Sequence, residues 1–109
     1  MRTLILPFLV LACISINAQT SKTILHNGLT RQYLECVPSC YNPQEPVPLV
    51  IALHGLGDNM NNFSGVGFHY IAETENFITL YPQAQNSIIG TLWNAGVSYM
   101  GMTLNAGVK

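Results

Sequence analysis

The chain has 109 residues, 49% of them hydrophobic and only 8% charged, with a formal net charge of −1. That length suits one small domain or part of a larger one. Four Lys and Arg stand against five Asp and Glu, so no basic patch is present to hold nucleic acid.

Residues 1–18 open with one positive charge at Arg2 and continue through an apolar stretch from Leu4 to Ile16, interrupted only by Pro7, Cys13 and Ser15. Asn17 and the small Ala18 follow. This three-part pattern predicts a signal peptide that is cleaved on export to the extracellular or periplasmic space, leaving 19–109 as the mature part. The apolar run falls short of the ~20 residues a membrane helix needs, so no membrane span is expected. Val10-Leu11-Ala12-Cys13 loosely resembles a lipoprotein processing site that would leave a lipidated Cys13, although Leu11 fits that pattern poorly. Beyond the leader, Lys22, Arg31 and Lys109 face Glu35, Glu45, Asp58, Glu73 and Glu75, a formal −2.

Thr23 to His26 and Leu29 to Val37 read as two strands of a hairpin. Asn27-Gly28 between them accepts the positive φ values that a tight type I′ turn requires. Pro38 to Pro48 holds four prolines with Asn42, Gln44 and Glu45, which can sustain neither a ladder nor a helix, and is a surface loop. Cys36 and Cys40 flank its start. A disulfide between them needs Cα atoms within ~7 Å and hence a turn at Pro38-Ser39. A zinc site is disfavoured because a lone CxxxC lacks a second ligand pair, and no cofactor is expected.

Leu49 to Leu53 is a short unbroken apolar run that predicts a strand covered on both faces, as in a parallel sheet. Phe63 to Glu75 carries Val66 and Tyr70, with Phe68, Ile71 and Ala72 on the adjoining stripe. The spacing of three and four predicts an amphipathic helix, capped by Ser64 and ended by Asn76. Phe77 to Tyr81 is a second buried strand, stopped at Pro82. The fold class is therefore α/β: an N-terminal hairpin, then a βαβ unit of a mostly parallel sheet.

His54-Gly55-Leu56-Gly57-Asp58 falls at the C-terminal end of the first parallel strand, where ligands meet open α/β sheets. Two readings stand. The glycines allow a tight turn while His54 packs and hydrogen-bonds, or they let a backbone N–H point into a pocket and stabilise an oxyanion. A phosphate loop is poorly supported, since neither GxxxxGK[ST] nor GxGxxG occurs.

"GLTRQYLECVPSCYNPQEPVPLVIALHGLGDNMNNF", then "FHYIAETENFITLYPQA" and "WNAG", together resemble the N-terminal part of the α/β-hydrolase esterases grouped as poly(3-hydroxybutyrate) depolymerases, related to secreted feruloyl and acetylxylan esterases. The likeness runs from Gly28 to Gly96. It implies a secreted serine esterase that cleaves carboxylic esters of a polyester, or of an esterified polysaccharide, through an acyl-enzyme. It also implies that the N–H of Leu56 is an oxyanion donor, supported by His54, Gly55 and Gly57, and that Trp93 and Asn94 lie at the pocket rim. Trp93 read from its residue type alone fills a hydrophobic gap equally well.

The rest of such machinery departs from the pattern. Serine hydrolysis of this kind needs a nucleophile on a G-x-S-x-G elbow, followed by an acid and a histidine. Gly96-Val97-Ser98-Tyr99-Met100-Gly101 comes closest, but its second glycine is one residue late, which makes Ser98 a decoy. His26, His54 and His69 all come too early for the catalytic histidine, and Asp58 precedes any nucleophile and is expected to cap or brace its loop. Asn62-Phe63-Ser64 is a glycosylation-type sequon at a surface helix start. The expectation is an N-terminal fragment of an α/β-hydrolase domain, inactive by itself, with the nucleophile, acid and histidine encoded beyond Lys109 and with an aggregation-prone sheet edge. Two other classes are a secreted binding module without catalysis, using Tyr81, Trp93 and Tyr99 as its aromatic surface, and a truncated frame with no function.

Overall fold

A computed structural model describes residues 19–96, 98–100 and 102–103. The expected signal peptide and the lipoprotein alternative at Cys13 lie outside the described residues. The chain is mixed α/β, and its main sheet has four strands in the order β1-β2-β4-β3.

β1 (Thr20–His26) and β2 (Leu29–Cys36) form an antiparallel hairpin that closes at Asn27 and Gly28, whose φ values of 49° and 73° are those a type I′ turn demands. Lys22 reaches diagonally across it to Glu35 at 2.6 Å. The proline loop follows, turning at once through a bond from the Tyr41 N–H to the Pro38 carbonyl. β3 (Leu49–Ile51) then pairs in parallel with β4 (Ile78–Pro82), which lies antiparallel against β2 on its other side. A short hairpin, β5 (Gln85–Ser87) and β6 (Gly90–Leu92), and the small pair β7 (Ser98–Tyr99) and β8 (Met102–Thr103) complete the described elements.

Three expectations are corrected. The sheet is mostly antiparallel: a tight turn joins β1 to β2, β4 lies antiparallel to β2, and among the described residues only β3 and β4 pair in parallel, through the helical crossover between them. The strand at Leu49 is not covered on both faces. Leu34, Cys36, Ala52, Thr79 and Tyr81 share one sheet face and are buried, whereas Leu49, Ile51 and Leu53 on the other face are 54%, 55% and 52% exposed. A single crossover puts its helices on one face only, and β3 is an edge strand with β4 as its one neighbour among the described residues.

The expected helix from Phe63 to Glu75 is three pieces: α1 (Met60–Phe63), a 3-10 turn (Ser64–Val66) and α2 (Phe68–Glu75). Gly67, with φ of 87°, breaks the run, and a Cβ there would come within 3.2 Å of the Tyr70 ring. Asn59 rather than Ser64 caps the start, its side chain accepting the Asn62 N–H at 2.9 Å. Apolar spacing counted across the Gly67 break does not hold one face. His69 and Ala72 are buried, and Val66, Phe68, Tyr70 and Ile71 are exposed. Asn76 ends α2 in the left-handed conformation.

The core gathers Leu34, Cys36, Ala52, Met60 and Tyr81, with Phe63 packed edge-on against Tyr81 at 6.5 Å between ring centroids. Tyr81 is fully buried and so unavailable as an aromatic binding surface. Cys36 and Cys40 are free thiols. Cys36 points into the core, where burial first and the nearby Glu35 second push its thiol up to about 11. Cys40 is exposed, with its thiol aimed at the Glu73 carbonyl. Among the described residues no helix is long and apolar enough to cross a membrane.

Candidate oxyanion loop

The loop that follows β3 is built around the buried ring of His54, 2% exposed. Its Nδ1 lies 2.8 Å from the Gly55 carbonyl, and its Nε2 lies 3.0 Å from the backbone N of Ala84. A carbonyl only accepts and a backbone N–H only donates, so Nδ1 carries the proton and Nε2 the lone pair. The side chain is thus committed to structure at both nitrogens. The indole N–H of Trp93 donates to the His54 carbonyl at 2.7 Å, and the two rings meet tilted at 5.3 Å.

Gly55 to Asp58 form a β-turn in which the Asp58 N–H donates to the Gly55 carbonyl at 3.3 Å. Gly57 takes the third position with φ of 76°, which this turn requires and a side chain resists. From Leu56 to Asn59 the backbone donors divide sharply. Gly57 donates to the Thr91 carbonyl at 2.8 Å, Asp58 to Gly55, and Asn59 to the Asp58 carboxylate at 2.8 Å. The N–H of Leu56 finds no acceptor among the described residues.

Its direction is set by covalent geometry. The Gly55 carbonyl and the Leu56 N–H belong to one planar trans peptide and point in opposite senses. His54 Nδ1–H and the Asp58 N–H both hold that carbonyl, so the Leu56 N–H is turned outward. Leu56 as a whole is 66% exposed. Asp58 braces the loop through its carboxylate on Asn59 and its carbonyl, which accepts from the Thr91 hydroxyl at 2.6 Å. Gly90, at the tip of the β5–β6 hairpin, comes close enough to Gly57 that a Cβ would lie 3.5 Å from the Gly57 Cα.

Of the other residues singled out from the sequence, Trp93 alone touches this arrangement, through His54. Asn94 is exposed. Trp93 shares a groove of about 450 Å³ with Ile24, Tyr33, Ile51, Leu80 and Pro82 on the uncovered sheet face, and a smaller cleft of about 320 Å³ is lined by Thr30, Gln32, Gln85 and Asn86. Leu56 lines neither. His26 ends β1 at the surface, Ser98 is exposed on β7, and the side chain of Tyr99 lies outside the described residues. His69 is buried under α2, with Nδ1 3.3 Å from the Tyr81 hydroxyl and the Gln19 amide within 3.3 Å of both ring nitrogens. Burial holds it below its ordinary value. No histidine pairs with Ser98 among the described residues. None of those residues forms a group of three His, Cys, Asp or Glu able to hold a metal ion.

Two anchors of the loop have no role assigned by the residue pattern: Thr91, which grips Gly57 and Asp58, and Gln83, which joins β4 to the loop. For Gln83 the "YPQ" end of β4 was the available signal, without a role attached. Thr91 offers none, because it acts mainly through its backbone carbonyl.

No protein-family model matches the chain. A polyhydroxybutyrate depolymerase of Talaromyces funiculosus is 36% identical over 81 residues, a match that takes in 65% of this chain and 23% of that protein. The chain therefore spans under a quarter of the relative's length.

Proposed function

We propose that the chain is the N-terminal side of an α/β-hydrolase domain in a secreted serine esterase of the polyhydroxybutyrate depolymerase kind, and that the Leu56 N–H is one donor of its oxyanion hole. The observation that carries this is the outward, unpartnered Leu56 N–H at the end of a parallel strand, in a chain that resembles a depolymerase. Export is supported by the leader-like residues 1–18. The strand arrangement supports the fold. In the usual α/β-hydrolase order the nucleophile strand pairs beside the strand carrying the His-Gly loop, and the outer edge of β3 has no partner among the described residues.

On this reading a serine outside these 109 residues attacks the ester carbonyl, an acid–histidine pair moves its proton, and the tetrahedral oxygen takes its negative charge toward Leu56. The backbone dipole is already oriented, so little reorganisation accompanies the charge; loss of one such donor typically costs on the order of 10²–10³ in rate. Leu56 occupies the second position of its turn, where proline is well accommodated. Leu56→Pro therefore deletes the N–H while keeping the turn. The test is hydrolysis of p-nitrophenyl butyrate and of poly(3-hydroxybutyrate) by the product of the whole reading frame, with and without that change. A drop in kcat of about a hundredfold or more is expected. Equal rates would remove Leu56 as the donor, and no hydrolysis of either ester by the unaltered protein would remove the esterase.

A further inference from the structure

We infer that Gln83 is a positioning residue for the Leu56 N–H, an inference that rests on the oxyanion reading and names what holds that donor in place. Gln83 follows β4 directly and touches both ends of the loop with one planar amide. Its Oε1 accepts the Met60 N–H at 3.0 Å, where the loop enters α1, and its Nε2 faces His54 Nε2 at 3.4 Å, where the loop leaves β3. The same Nε2 donates to the Ala84 carbonyl at 3.2 Å, and the backbone N–H of Gln83 donates to the Gln32 carbonyl on β2 at 2.9 Å. The amide is thus fixed to the sheet and spans the loop from His54 to Met60.

Few side chains meet this demand. An acceptor must face Met60 while a donor faces His54 Nε2, and a carboxamide offers both on one plane whereas a carboxylate offers only acceptors. The consequence passes to Leu56 through hydrogen bonds and one rigid peptide plane. Donors at Nε2, from Ala84 chiefly and Gln83 second, keep the proton on Nδ1; Nδ1–H holds the Gly55 carbonyl; and that carbonyl sets the opposed N–H of Leu56. Gln83 also fixes the distance between the loop's ends, so that Gly55 and Gly57 are held in the turn without a bulky side chain to prop it.

Two substitutions in the product of the whole reading frame test this by NMR. Gln83→Met keeps length and removes every side-chain hydrogen bond. It is expected to lower the Leu56 N–H order parameter from about 0.85 to below about 0.6 and to speed Met60 amide exchange at least about tenfold. Gln83→Glu keeps the acceptor for Met60 but sets a carboxylate against His54. Met60 protection is expected to survive while the His54 ring nitrogen signals and the Leu56 amide shift. A global loss of packing would move Met60 and Leu56 alike in both variants, so the split in Gln83→Glu separates positioning from folding. Leu56 signals unchanged in both variants overturn the inference. None of these readouts involves an ester, so the role of Gln83 and the esterase reading stand or fall separately.

Discussion

The backbone N–H of Ala84 donates to Nε2 of His54 at 3.0 Å, joining the loop that follows β3 to a residue just past β4. This bond decides what His54 is for. A general base needs an open lone pair, and the one on this ring is already taken by a buried backbone donor. The residue beside it, Leu56, is the opposite case, an exposed donor with no acceptor among the described residues. The two readings that the His-Gly loop leaves open in sequence thus refer to different groups, a structural ring and a nearby N–H without an acceptor among the described residues.

His54→Phe keeps an aromatic ring but strands the Ala84 N–H, whose residue is 4% exposed. A buried donor without a partner costs about 1–3 kcal/mol. An unfolding free energy from urea titration lowered by that amount, and with it a lower midpoint, is expected. An unchanged midpoint would show that the bond contributes nothing and that His54 is free for another role.

His69 gives the chain a pH dependence of definite sign. Its ring is buried, faced by the Tyr81 hydroxyl, the Gln19 amide and the Tyr70 ring, and no ion is among these neighbours. Burial lowers it below the ordinary 6.5. The unfolded chain therefore takes up the proton first as pH falls, and the native state loses stability below 6.5 until its own ring is charged. Unfolding free energy is expected to drop from about pH 7.5 to about pH 5.5, and to drop less in His69→Phe. An identical slope in the two proteins would assign the effect to other groups.

What sequence makes legible here follows the range of each interaction. The Asn27-Gly28 turn, the proline loop and the stop at Asn76 depend on local φ, ψ preferences, and all three lie where residue type puts them. Sheet direction and coverage depend on how many crossovers the chain makes, and a run such as Leu49 to Leu53 reads the same on an edge as in a centre. The helix misleads for a related reason: Gly67 fits an unbroken helix at modest cost, and only its packing against Tyr70 and the burial of His69 show the break. In the candidate site, glycine spacing marks the loop. The groups that hold it, the Thr91 carbonyl, the Ala84 N–H and the Gln83 amide, come from 23 or more residues away in sequence and mostly from backbone, which no motif records.

The outer edge of β3 predicts how the 109-residue chain behaves in solution. Leu49, Ile51 and Leu53 stand more than half exposed on the uncovered face, beside the unpaired backbone of the edge strand. A flat apolar edge of this kind templates further strands from other copies. Ile51→Lys places a charge there without touching the core, since Ile51 alternates away from Ala52 and Val50. Light scattering is expected to show association of the unaltered chain with rising concentration and much less of it in Ile51→Lys, while thermal stability changes by less than about 0.5 kcal/mol. A monomeric unaltered chain, or an Ile51→Lys protein that unfolds, would mean that this face is covered within the chain itself, and the place proposed beside β3 for the nucleophile strand would already be filled.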